Sequence, residues 1–312
     1  MLELRKRIIA EVNKVVIGQD VAIDQILIAL ATRGHALLEG PPGTAKTLLA
    51  NAVARTLGLS FRRVQFTPDM LPSDLTGTMA LIGGQIGELT FRPGPIFTNI
   101  VLADEINRTP PKTQAALLEA MGEGTVTVDG TTRRLDDPFL VVATQNPIEY
   151  EGTYPLPEAQ LDRFIVKVLL GYPTEESEVA MLHLRHAGVR ATAIDTITQV
   201  ASEDDVAQLR ELVDATTVHP DIAAYVVKII RATRSMPSVE LGASPRAAVH
   251  LLAASKALAR LQGRDYVTPD DVAIVTTPVL RHRLLLRPEA QLEGFKPDDV
   301  IRLALGSVTV PR

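Results

Sequence analysis

The sequence contains no cysteine among its 312 residues. This absence excludes disulfide bonds, thiolate metal ligands and a cysteine nucleophile. The six histidines are scattered without the spacing of metal ligands, so we expect them to be core or surface residues. No apolar run approaches the roughly 20 residues that span a bilayer, which predicts no membrane insertion. The first residues are amphipathic and lack the pattern of a signal peptide, so we expect a cytoplasmic protein.

The sequence also lacks an excess of basic over acidic residues. The net charge of −5 and the pI near 5.7 argue against broad electrostatic binding to nucleic acid or anionic membranes, although a local basic patch stays open. A content of 46% hydrophobic and 22% charged residues is typical of a globular protein. The length favours two domains.

The stretch from His35 to Ala50 predicts a phosphate-binding loop. It consists of a short apolar strand, a turn rich in glycine and proline, and a helix that opens on Lys46 and Thr47. Backbone N–H groups of such a turn and the positive end of the helix can surround phosphate oxygens. Lys46 would then reach the β- and γ-phosphates, and the Thr47 hydroxyl would ligate Mg²⁺. By itself the stretch is also compatible with a structural loop that carries a surface lysine.

Ala45 departs from the usual pattern of this loop, in which a second glycine stands at that position. We expect the change to be tolerated because Gly43 still supplies an unrestricted turn residue. Alanine is also a good helix former at the start of the helix.

Two later apolar strands end in polar residues. The run from Ile100 ends in Asp104 and Glu105, which could hold Mg²⁺ through water and orient or deprotonate an attacking water. Helix capping is the alternative role for such an acid pair. The strand 139–143 is followed by polar residues that include Asn146, which could contact the attacking water or the γ-phosphate, although Asn-Pro is also a turn signal.

Other segments predict secondary structure around these strands. Residues 77–94 suggest a protruding hairpin or a glycine-rich loop, and Asp129-Gly130 predicts the turn of a hairpin over 125–135. Thr109 has the character of an N-cap for a helix that Gly122 closes. Together with the phosphate loop, these elements favour a parallel α/β sheet domain.

The second half of the chain reads as helical. We place the boundary near Gly171-Tyr-Pro173, so residues 1–172 form the sheet domain and residues 173–312 a small all-helical domain. Ser202 and Thr268 are predicted N-caps, and Ser244-Pro245-Arg246 opens another helix. Arg163, at the edge of the sheet domain, is either a surface ion-pair partner or a charge offered to a neighbouring subunit.

The order of these features resembles the AAA+ ATPases, and within them the MoxR family, over nearly the whole chain. The sequence Gly-Pro-Pro-Gly-Thr-Ala-Lys-Thr, including Ala45, is similar to the MoxR form of the Walker A loop. Residues 16–19 resemble the adenine-side motif of that family. Residues 77–94 and 125–135 resemble its helix-2 insertion and pre-sensor hairpin. The resemblance implies a P-loop core with β-hairpin insertions, followed by a helical lid.

The resemblance also implies roles for individual residues. Asp104 and Glu105 match Walker B, and Asn146 matches sensor 1. Arg163 matches an arginine finger acting in trans, and Arg246 matches sensor 2 from the lid. Thr47 and Asp104 are the implied metal-site residues. The implied nucleotide-binding residues are Ile17, Gly18, Gly40, Pro41, Pro42, Gly43, Thr44, Ala45, Lys46, Thr47 and Leu48.

By implication the protein is an ATPase that uses ATP and Mg²⁺ in a hexameric ring, in which movement of lid against core displaces the hairpins against a client protein. MoxR relatives are thought to mature other proteins, often by metal or cofactor insertion, with a partner that carries a von Willebrand factor A (VWA) domain. A magnesium-chelatase-like motor and a DNA-remodelling ATPase remain alternatives. A nucleotide-gated binding module is disfavoured, because pure binding needs neither Glu105 nor Arg163.

Overall fold

The computed structural model describes residues 1–81, 89–145, 153–186 and 193–311. The strands are β1 (His35–Glu39), β2 (Phe61–Gln65), β3 (Gly77–Leu81), β4 (Leu89–Pro93), β5 (Ile100–Asp104), β6 (Thr125–Val128), β7 (Thr131–Arg134), β8 (Leu140–Gln145), β9 (Phe164–Leu169), β10 (Val239–Leu241) and β11 (Leu285–Leu286). The helices are α1 (Leu2–Val12), α2 (Asp20–Ala31), α3 (Lys46–Thr56), α4 (Pro72–Thr76), α5 (Pro111–Glu123), α6 (Glu158–Leu161), α7 (Glu175–His186), α8 (Glu203–Asp214), α9 (Pro220–Ser235), α10 (Pro245–Leu261), α11 (Pro269–Leu280), α12 (Pro288–Leu292) and α13 (Pro297–Ser307).

A five-stranded parallel sheet in the order β2-β5-β8-β1-β9 forms the centre of the fold. Alternating residues of each strand face opposite sides, as the pleat requires. In β1, Ala36 and Leu38 join one apolar cluster, which includes residues of α1, α2 and α3, whereas Leu37 joins another with α5. The predicted parallel core is confirmed. Parallel strands bring the carboxyl ends of β1, β5 and β8 to one edge of the sheet.

Both predicted hairpins are present. β3 pairs with β4 and β6 pairs with β7, each antiparallel, with residues 82–88 outside the described part. Asp129 and Gly130 have φ values of 48° and 76°, the left-handed pair that a tight hairpin turn requires. The Arg133 guanidinium lies 3.9 Å from the centroid of the Phe91 ring, so a cation–π contact joins the two hairpins.

The ends of helix α5 differ from those predicted from the sequence. The helix begins after Pro110 rather than at a Thr109 cap, and it continues through Gly122 to Glu123. Gly124, with φ of 63°, ends it, because its left-handed backbone lets its N–H bond to Ala120 O over 2.9 Å.

The lid is helical as predicted, and Ser202, Ser244 and Thr268 each cap a helix through the side-chain oxygen. A short antiparallel pair of β10 and β11 lies among its helices and was not predicted. Apolar residues of the lid belong to the same continuous cluster as α1, α2 and α3. Within the described ranges, no helix is both long and apolar enough to cross a membrane.

Candidate functional site

The phosphate loop connects the end of β1 to the start of α3. Gly40 is required by packing, since a Cβ there would lie 2.3 Å from the carbonyl oxygen of Leu170, just past β9. Gly43 has φ of +83°, a conformation that favours glycine, and space for a side chain is open around it. The loop therefore has the close strand contact and the free turn residue that phosphate binding needs.

Ala45 has φ of 61° and ψ of 25°, so it lies in the left-handed region immediately before α3. Helix propensity therefore does not explain this alanine, contrary to the expectation from the sequence. An L-residue in this conformation costs about 1–2 kcal/mol, because its Cβ approaches the following carbonyl oxygen. Residues held in this way are concentrated at ligand-binding sites.

Lys46 is held at the rim of the loop. Its ammonium donates hydrogen bonds to Gly40 O over 2.7 Å and to Pro41 O over 2.9 Å. Burial lowers the pKa of Lys46, and the charges of Asp104 and Glu105 act in the opposite direction. The lysine and both acids therefore share one electrostatic environment at the carboxyl edge of the sheet.

Asp104 is buried at the end of β5 and has two polar neighbours. Its Oδ1 accepts a hydrogen bond from Thr144 Oγ1 at 2.6 Å. Its Oδ2 accepts two from Arg63 on β2, at 3.0 Å from Nε and 2.7 Å from Nη2. These contacts fix the orientation of the carboxylate from both sides.

Glu105 has a strained backbone, and side chains of other residues hold its carboxylate. Its backbone has φ of 57° and ψ of 51°, in the left-handed region, and its N–H donates to Thr144 Oγ1 over 2.9 Å. Gln65 Nε2 donates to Glu105 Oε2 over 2.7 Å, and Arg108 lies 3.3 Å from the same oxygen. The carboxylate is thus held by β2 and by the turn that follows β5, and its charge acts on Lys46 at the loop.

The donor set around the loop fits Mg²⁺. The Asp104 carboxylate and the Thr47 hydroxyl, which lies in the first turn of α3, are hard oxygen ligands of the kind that Mg²⁺ prefers. No cluster of three or more histidine, aspartate or glutamate side chains suited to a metal occurs in the described part of the chain. An ion here would depend on phosphate oxygens for the rest of its coordination.

The predicted adenine-side motif contacts the first helix of the lid. Gly18 has φ of +77°, and a Cβ on it would lie 2.7 Å from Ser177 Oγ in α7. Ile17 is partly buried beside it. The structure thus brings residues 16–19, which precede β1, close to the start of α7.

Arg163 lies at the opposite end of the sheet from the loop. In the parallel pair of β1 and β9, Phe164 is opposite His35 and Leu169 is opposite Glu39. Six residues of strand span about 20 Å, so Arg163 cannot reach the phosphate loop of the same chain. Its side chain is exposed, with no hydrogen bond or ion pair to the described residues.

Arg246 lies on the Arg163 side of the molecule. Ser244, the cap of α10, donates to Asp162 Oδ2 at 3.4 Å, and Asp162 precedes Arg163 directly. Arg246 is exposed, two residues further along. The two arginines that the sequence suggested are therefore grouped together, apart from Lys46 and the acids. Asn146 lies outside the described residues.

Arg63, Gln65 and Thr144 contact the acids but were not singled out from the sequence. Thr144 and Gln65 each stand at the carboxyl end of a predicted strand, which is the signal that could have indicated them. Arg63 could be found only from the position of β2 next to β5.

Comparisons with known proteins agree with this geometry. Residues 35–166 match the ATPase family associated with various cellular activities (AAA), and residues 231–303 match the AAA lid domain. The chain is 48% identical to the protein YeaC of Bacillus subtilis, over 97% of this chain and 93% of that one. It is 43% identical to Chaperone MoxR1 of Mycobacterium tuberculosis, over 98% and 82%.

More distant and structural relatives extend the match. Protein MoxR of Methylorubrum extorquens is 32% identical, over 96% of this chain and 93% of that one. A crystal structure of a Cytophaga hutchinsonii protein, 42% identical, superposes with a TM-score of 0.90 and covers 100% of this chain and 97% of that one. The chain belongs to the MoxR family of AAA+ ATPases, and it binds and hydrolyses ATP.

Proposed function

We propose that this ATPase works as a homo-hexameric chaperone ring whose active sites are shared between neighbouring subunits. The observation that carries the proposal is the separation of Lys46, Asp104 and Glu105 from Arg163 and Arg246 at opposite ends of the sheet. One subunit then supplies half of each site and its neighbour supplies the other half.

Within the site, the loop N–H groups and Lys46 bind and orient the β- and γ-phosphates. Glu105 orients and deprotonates the attacking water, and Asn146 is predicted to contact the same water or the γ-phosphate. Thr47 and Asp104 would hold Mg²⁺, which when bound neutralises phosphate charge. Arg163 and Arg246 of the neighbour neutralise the charge that develops during transfer.

We propose that hydrolysis moves the joined hairpins against a client protein, with a VWA-domain partner. Support comes from the contact between Arg133 and Phe91, which lets the hairpins move as one body, and from the chaperone name of the relative MoxR1. Because lid and sheet share one apolar cluster, we place the movement mainly between subunits. Client maturation by metal or cofactor insertion, a cytoplasmic location and a domain boundary at residues 172–173 remain predictions.

Two variants test the shared site. Glu105→Gln is expected to bind ATP and lose hydrolysis. Arg163→Ala is expected to bind ATP equally well while turnover falls by about 10³–10⁵-fold, the range known for arginine fingers. Turnover equal to that of the unchanged protein in either variant would refute the assignment.

The Glu105→Gln variant also tests the partner proposal. Loaded with ATP, it should form a stable ring that co-purifies from its native source with a VWA-domain protein, whereas a Lys46→Ala variant that cannot hold ATP should not. Recovery of the ring without such a protein would contradict the proposed partnership.

A further inference from the structure

Arg283 is a buried cation just beyond the end of α11, and it contacts the backbone on both sides of Arg163. Its Nε donates to Asp162 Oδ1 over 2.7 Å. Its Nη2 donates to Phe164 O over 2.6 Å and to Asp162 O over 3.3 Å. Arg283 itself is 8% exposed, and the neighbouring Arg163 is exposed. A lid residue therefore fixes the two residues that flank the exposed arginine.

The same guanidinium reaches the helix that carries Arg246. Its Nη2 donates to His250 Nδ1 on α10, and its Nη1 donates to Val279 O over 2.7 Å. Burial lowers the pKa of His250 to about 4, which leaves the imidazole neutral and able to accept this bond. His250 lies one turn beyond Arg246 on the same face of α10.

The charge of Arg283 is retained despite its burial. Burial lowers its pKa to about 10, against the opposing effect of Asp162, so the group stays charged at neutral pH. A buried ion pair is weak evidence for stability alone, because desolvation offsets the attraction. The planar fork of arginine can bond to several acceptors in fixed directions, which a lysine ammonium cannot reproduce.

We propose that Arg283 is a positioning residue that fixes Arg163 and Arg246 as one rigid pair, presented together to the nucleotide of the neighbouring subunit. This inference rests on the proposed sharing of sites between subunits. Arg283 itself touches no nucleotide, and it acts through Asp162, Phe164 and His250.

The first test compares two matched lid variants. Arg283→Lys keeps the charge but loses the fork, so kcat should fall by about 10²-fold, the effect of a misplacement near 1 Å. The Kd for ATP should stay unchanged. Arg264→Lys alters another arginine–aspartate contact of the lid, from a partly buried Arg264 to the buried Asp271 at the other end of α11, and should keep its kcat. Unchanged kcat in Arg283→Lys would overturn the proposal.

Mixed rings give the decisive readout. Glu105→Gln subunits have a dead site of their own but an intact Arg163 pair, so they should restore turnover to Arg163→Ala subunits and equally to Arg283→Lys subunits. Arg163→Ala mixed with Arg283→Lys should show no more turnover than Arg283→Lys alone, because neither subunit supplies the positioned pair. If Arg283→Lys folds poorly, Asp162→Asn takes its place in these mixtures. This variant removes the counter-charge of Arg283 and should show the same loss of turnover and the same restoration.

Two outcomes distinguish a failure of the Arg283 inference from a failure of the proposed function. If Glu105→Gln restores Arg163→Ala but neither Arg283→Lys nor Asp162→Asn, then Arg283 does not act through the neighbour's site and this inference falls alone. If Glu105→Gln does not restore even Arg163→Ala, sites are not shared between subunits and the proposed function falls with it.

Discussion

Thr144 Oγ1 donates a hydrogen bond of 2.6 Å to Asp104 Oδ1. The same oxygen accepts the backbone N–H of Glu105 at 2.9 Å. One buried hydroxyl on β8 therefore positions both acids at the end of β5, and its removal would leave a carboxylate oxygen and an N–H without this partner.

We expect Thr144→Val to lower kcat by more than about tenfold, because both acids lose their orientation. Loss of the hydroxyl should also destabilise the fold by about 1–3 kcal/mol, the cost of unsatisfied buried groups. Thr144→Ser keeps the hydroxyl and should retain most activity. ATPase assays and urea unfolding measure the two effects, and a fully active valine variant would show that the hydroxyl is not needed.

The left-handed backbone of Ala45 predicts a stabilising substitution. Ala45→Gly should raise the free energy of unfolding by about 1 kcal/mol, since glycine adopts this conformation without a Cβ clash. Ala224→Gly, on the exposed face of α9, should instead lower it by about 1 kcal/mol. Urea unfolding compares the two variants, and equal destabilisation of both would contradict the assigned strain.

His35 predicts a loss of stability in weak acid. Burial lowers its pKa from 6.5 to about 4, while Nδ1 accepts the Val141 N–H at 3.0 Å and Nε2 lies 3.0 Å from Met121 O. Between these pH values the unfolded state binds more protons than the folded state. The stabilising contribution is therefore present above pH 6.5 and lost as pH falls toward 4, by about 3 kcal/mol in all.

Unfolding experiments at pH 7.5 and 5 check this dependence. The stability difference between the unchanged protein and His35→Gln, which cannot titrate there, should narrow at the lower pH. His250 and His282, whose pKa values are also lowered by burial, contribute equally to both proteins. A difference that is constant with pH would contradict the assignment to His35.

The sequence was sufficient for the parallel core and the hairpins, because strand periodicity and the Asp129-Gly130 turn are local signals. It also located Lys46, Asp104 and Glu105, since strand ends and the loop pattern identify them. The contact of Arg63 with Asp104 depends on β2 lying beside β5, which no local pattern encodes. The contact of Ser244, two residues before Arg246, with Asp162 depends in the same way on how the lid packs against the sheet domain.

If each chain carries only half of a working site, ATPase activity per chain must depend on protein concentration, which is measured with particle mass recorded in parallel. We expect activity per chain to fall toward zero on dilution, in step with the conversion of rings to single subunits, while single subunits still bind ATP. Activity per chain that stays constant in samples composed of single subunits would contradict it.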